Sequence, residues 1–164
     1  MALMEPILLT VYGSAQPAGS KDPFMRKDGT MGVRDANPRA REWKDAVAAA
    51  AGREYDGPLL TQAVRLELSF YRPWLSGHFS KRKGREGELR DGAPVYPITA
   101  PDLTKLIRGT EDALKGIVFR DDAQVCEQHT RKLFGTPARV EIRVVPLGDP
   151  RVGELRQPRL TAAM

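Results

Sequence analysis

Between Pro101 and Gln124 the chain reads PDLTKLIRGTEDALKGIVFRDDAQ, and this stretch limits the possible folds more than any other. Leu103, Leu106, Ile107, Ala113 and Leu114 recur at helical spacing, so they form one apolar face that has to be covered. Asp102 stands where a helix is capped, and Gly116 stands where one stops. The covering surface is predicted on either side. In Ala63–Tyr71 the side chains alternate, with Val64, Leu66, Leu68 and Phe70 on one face and Arg65, Glu67 and Ser69 on the other. Val125–Phe134 and Arg139–Val145 read as two more strands, joined at Gly135-Thr136-Pro137 as a hairpin.

Upstream, Ile7–Tyr12 reads as a buried strand closed by Gly13. A turn-rich, basic segment follows, with a hairpin turn at Asp28-Gly29. Asn37-Pro38 opens a second helix that runs through Ala51 and stops at Gly52. The order of elements predicts an α/β fold: one small domain with a mixed sheet of about four to five strands and two main helices. With 164 residues the chain is long enough to enclose a real core. The domain is placed at residues 1–146, and residues 147–164 are read as a partly ordered tail. Residues 74–97 carry Gly77, Gly84, Gly87, Gly92 and Pro94, and read as a long, exposed, mobile loop.

Charge narrows the class of partner. Lys plus Arg is 26 against 21 Asp plus Glu, a net +5. Most of that excess lies between Arg72 and Arg90, where Arg72, Lys81, Arg82, Lys83, Arg85 and Arg90 face only Glu86 and Glu88. Such a segment suits phosphate contacts that position DNA without reading its sequence. Lys21 and Lys105 are further candidate DNA contacts, and Trp74 and Phe79 are candidates for stacking on bases. The single cysteine, Cys126, excludes an internal disulfide and suits a reducing cytoplasm. His78 and His129 show no metal-ligand spacing, and no apolar run approaches the length of a membrane span. The expectation is a cytoplasmic protein without a membrane partner.

Carboxylates at the ends of one helix and one strand are hard oxygen ligands suited to Mg²⁺. Asp102, Asp121 and Asp122 form that set here, with Arg108 between them. By itself each Asp also has a plain structural reading, as an N-cap or a turn residue. If Asp121 and Asp122 lie on a regular strand, their side chains point to opposite faces.

Together these residues resemble the signature of the RusA family of Holliday junction resolvases. The family pattern runs P-D-x-D-N-L-x-K, then a helix ending in D-A-L, then D-D-x-Q. The likeness covers Ile98–Phe134, and extends more loosely to GSAQPAGSK at Gly13–Lys21 and NPRAREW at Asn37–Trp43. The resemblance implies a Mg²⁺-dependent endonuclease, with Mn²⁺ as a substitute, that acts as a homodimer on four-way or branched DNA. It implies Asp102 and Asp122 as catalytic metal ligands, Asp121 as their acidic neighbour, and Arg108 where the family has a Lys near the scissile phosphate. Lys105 stands where the family commonly has Asn. Thr104 is the departure, because the family has a second Asp there. Glu67, on the polar side of the preceding strand, is the candidate substitute ligand. The alternatives are a branched-DNA-binding protein that has lost its chemistry, and a small α/β domain with no nucleic-acid role.

Overall fold

The computed structural model describes residues 5–148. Residues 149–164 of the tail read from the sequence lie outside the described residues. The elements are β1 (Ile7–Tyr12), β2 (Lys21–Met25), β3 (Met31–Asp35), α1 (Arg39–Glu54), β4 (Val64–Arg72), α2 (Leu103–Leu114), β5 (Val125–Phe134) and β6 (Arg139–Pro146). Four strands form one mixed sheet in the order β1-β6-β4-β5, and β2 and β3 form a separate two-stranded ribbon. The small α/β domain expected from the sequence is what forms. The turn at the ribbon tip spans Asp28-Gly29, where the Asp28 carboxylate accepts from the Thr30 backbone and hydroxyl.

Strand β4 organises the sheet. Its alternation leaves Val64, Leu66, Leu68 and Phe70 buried, and these pack under both helices with Val140, Ile142 and Val144 of β6. Parallel pairing of β4 with β5 makes β4-α2-β5 a crossover unit. The predicted hairpin between β5 and β6 does not form. Instead β6 inserts between β1 and β4, antiparallel to both. Burial explains the choice. Every second residue of β6 is buried, as a central strand requires, whereas Cys126–His129 of β5 are all exposed, as an edge strand tolerates.

Helix α1 also departs from its predicted end, since it runs through Gly52 to Glu54. Asn37 acts at its start as foreseen, its side-chain oxygen accepting from the Arg39 amide at 3.1 Å. The two helices are tied inside the core. Thr110, fully buried, accepts from the Trp43 indole N–H at 3.2 Å and donates to the Leu106 carbonyl at 3.1 Å. Thr110→Val keeps the shape and strands the indole N–H, so it should lower stability by about 1–3 kcal/mol in urea unfolding. A variant as stable as the parent would show that this bond contributes nothing net.

The segment 74–97 is a long, largely exposed loop, as expected, with local structure of its own. Phe79 and Leu89 form an antiparallel bridge, with Ser80 donating to Glu88 and Arg90 donating to His78 through the backbone. The base is fixed by aromatics: Trp74 stacks on Phe134 at 5.3 Å, and His78 meets both rings edge-on. Trp74 therefore anchors the arm to β5.

Candidate active site

Helix α2 positions the candidate residues. It is 12 residues long, which spans ~18 Å, with Asp102 at one end and Lys115 at the other. Asp102 occupies the N-cap position, yet its side chain makes no capping hydrogen bond. Its carboxylate is exposed and lies 3.5 Å from the Lys105 ammonium. The expected side-chain cap is thus absent, and the carboxylate remains available to a ligand. The segment before it is held from β4 and β5. Arg72 donates to the Ala100 carbonyl, and the Lys132 ammonium donates to the carbonyls of Thr99 and Pro101 at 2.8 and 2.9 Å.

Asp121 and Asp122 lie at the other end of α2. Gly116, with φ of +78°, reverses the chain after the helix. Residues 117–120 then return it to a 3₁₀ turn at Asp122–Gln124. Gln124 bolts this turn down. Its amide donates to the carbonyls of Leu60 and Gln62, and its oxygen accepts from the Asp121 amide at 2.8 Å. Because this is a 3₁₀ turn and not a regular strand, the two Asp side chains do not alternate across a sheet. Both reach the Lys115 ammonium, Asp121 at 2.8 Å and Asp122 at 3.1 Å.

The ammonium of Lys115, with the Ala123 amide, holds the Asp121 carboxyl down to about 2. The two carboxylates in turn push the Lys115 ammonium above its ordinary range. Asp121 therefore favours the folded state above its unfolded value near 4, and that contribution is lost as pH falls toward 2. A carbon-detected NMR titration should place the Asp121 midpoint near 2. A midpoint at the ordinary Asp value would mean the pair with Lys115 does not persist in solution.

Glu111 belongs to this end as well, although its place two turns along the helix sets it aside as a partner of Asp102. Burial raises its carboxyl above the ordinary range, and the charges of Asp122 and Asp112 push the same way. Gln128 of β5 donates to it. Thr104, Arg108, Glu111 and Lys115 follow at helical spacing and form one stripe along α2. Arg108 lies over Gly19, where an added Cβ would come within 3.0 Å of the Arg108 side chain. Asp112, its natural partner one turn on, is taken by Lys44 at 3.0 Å. Arg108 is thus exposed beside the first loop with no ion-pair partner among the described residues.

Two expectations are corrected. Glu67 faces away from the helices and is held at 3.1 Å by Arg143 and at 2.9 Å by Arg65. Burial raises its carboxyl, but the two guanidinium groups outweigh that and lower it. It cannot stand in for the carboxylate missing at Thr104. Nor do Asp102 and the Asp121–Asp122 pair converge. Among the described residues no group of three or more His, Cys, Asp or Glu is close enough to surround one ion.

The outer surface carries the expected basic arm. Lys81, Arg82, Arg85 and Arg90 line a cleft of about 530 Å³ on it. Arg85 is engaged by Glu88 at 2.7 Å and Asp91 at 3.9 Å, which removes it from the available cations. Lys81, Arg82, Lys83 and Arg90 point outward without such partners among the described residues.

The family model of endodeoxyribonuclease RusA matches residues 14–145. The chain belongs to the RusA endodeoxyribonuclease family. The match takes in α2, the 3₁₀ turn at Asp122 and the basic arm together. A Bacillus subtilis (strain 168) relative, described as uncharacterized protein YqaN, is 28% identical over 141 residues, covering 86% of this chain and 96% of its own length. RusA nucleases cut Holliday junctions, bind branched DNA and depend in general on a divalent metal. Asp121 and Asp122 fit such an ion by their chemistry: they are hard oxygen donors, exposed side by side. Mg²⁺ is commonly held by one or two carboxylates, completing its shell with water and substrate phosphate. No helix among the described residues is long and apolar enough to cross a membrane.

Proposed function

We propose that this protein is a Mg²⁺-dependent endonuclease that incises four-way or otherwise branched DNA, working in the cytoplasm as a homodimer. The observation that carries the reading is the pairing of Asp121 and Asp122 around one cation, beside the exposed stripe of α2, within a chain of the RusA family. Asp121 and Asp122 would hold the metal, which when bound would supply polarisation of a phosphate oxygen and acidification of the attacking water. Arg108 supplies a fixed guanidinium for charge growing on the phosphate, in the place where the family carries a Lys. Asp102 offers a separate exposed carboxylate at the other end of α2. Lys81, Arg82, Lys83 and Arg90 grip the DNA backbone outside the site. Two copies related by a two-fold axis would match the symmetry of a four-way junction.

Thr104 favours a second reading, a branched-DNA-binding protein without cleavage. The test is an end-labelled four-way junction incubated with Mg²⁺ or with EDTA. Incision with Mg²⁺ alone supports the nuclease. Tight, salt-sensitive binding with no incision in Mg²⁺ or Mn²⁺ supports the binding-only reading.

A further inference from the structure

At the centre of the proposed metal site stands a cation that belongs to the protein. The Lys115 ammonium lies 2.8 Å from Asp121 and 3.1 Å from Asp122, so it bridges the two carboxylates proposed to hold the metal. Nothing in the motif foretold this. Lys115 is the residue directly after α2, and the reversal at Gly116 brings the Asp pair back to it. The bridge is open to solvent, since the Lys115 side chain retains 45% of its exposure and those of Asp121 and Asp122 retain 48% and 41%. A long, flexible ammonium held, among the described residues, by exposed ion pairs can swing aside at little cost.

We infer that Lys115 is the resident counter-ion of the Asp121–Asp122 pair, which the divalent metal displaces, and that it thereby sets the metal concentration at which the site fills. This rests on the proposed metal-binding role of the pair. The reasoning is electrostatic. Two carboxylates on adjacent residues repel each other, and either an ammonium or a divalent ion relieves that repulsion. The two cations need the same oxygens, so they exclude one another. Lys115 would then be a positioning residue with two effects: it keeps the carboxylates together before metal arrives, and it weakens metal binding by competing.

The test measures Mn²⁺ binding directly, by calorimetry and by the paramagnetic signal of unbound Mn²⁺, with no DNA and no turnover. Lys115→Met should bind Mn²⁺ roughly 3- to 10-fold more tightly than the parent, the scale of exposed ion pairs. Its melting temperature should also rise more on adding Mn²⁺. Lys115→Arg keeps the charge and should bind within about twofold of the parent. Equal or weaker Mn²⁺ binding by Lys115→Met overturns the competition. Asp122→Asn separates this failure from a wrong metal site. If Asp122→Asn binds Mn²⁺ as the parent does, the Asp pair is not the metal site and the role of Lys115 falls with it. If Asp122→Asn loses binding while Lys115→Met is unchanged, the site stands and only the competition is wrong.

Discussion

Replacing Lys81, Arg82, Lys83 and Arg90 together by Ala should weaken junction binding roughly 10- to 100-fold near physiological salt, and should lower the salt slope by about 3 to 4. Each of these side chains is exposed on the arm and lacks a carboxylate partner among the described residues. Every phosphate that the protein no longer neutralises takes about 0.9 off the slope of log K against log salt. The weakening should be uniform across DNA sequences, because the phosphate backbone carries no base information. Arg85 is left out because Glu88 and Asp91 already neutralise it. The arm is held by its own bridge and by the Trp74–Phe134 stack, so the fold should survive the change. Fluorescence anisotropy across a salt series reads both quantities. An unchanged slope would place the arm outside the interface.

Asp122→Asn should reduce Mg²⁺-dependent incision roughly 10²- to 10³-fold, the scale of losing one charge-stabilising group at a reacting centre. It removes a ligand charge and changes shape little, so binding should stay within about threefold of the parent, or strengthen slightly as a negative charge near the DNA disappears. Asp102→Ala should also lose incision. Its carboxylate makes no capping bond, so the substitution should leave the melting temperature of the protein unaltered. That combination distinguishes a carboxylate needed for incision from a helix cap. A capping Asp replaced by Ala would cost about 1 kcal/mol and leave cleavage intact. Single-turnover assays with a labelled junction, beside thermal melts, give both readings.

Much of this molecule is legible in its sequence. The strict alternation of Val64–Phe70 and the helical period of Leu103–Leu114 fix β4 and α2, and with them the crossover that supports the site. The Asn37-Pro38 start of α1 and the Asp28-Gly29 turn follow from local chemistry. What escapes depends on tertiary choice. A β5–β6 hairpin is the local expectation, and it loses to the demand that the strand buried at alternate positions be central. Gly52 carries a modest helix penalty, which packing of Val47, Ala50 and Ala51 overrides. The arm at 74–97 reads as a loop by composition and is one, but its anchorage on Phe134, far away in the chain, is not visible there.

The site is legible in part for the same reason. Asp121 and Asp122 stand out as a motif, but the sequence cannot show that the chain reverses and brings both to Lys115. Glu111 is too far along α2 from Asp102 to share an ion with it, whereas the reversal brings it near Asp122. Glu67 is attractive in the sequence as a spare carboxylate on the polar side of β4. That side is the face opposite the helices, where Arg65 and Arg143 already hold it.

If the Asp121–Asp122 pair holds the divalent metal, anomalous diffraction from crystals soaked in Mn²⁺ will locate the ion there. The expected map has a peak between the Asp121 and Asp122 carboxylates, with the Lys115 ammonium moved away. A peak on Asp102 with none on the pair, or a peak beside Glu67, would contradict it.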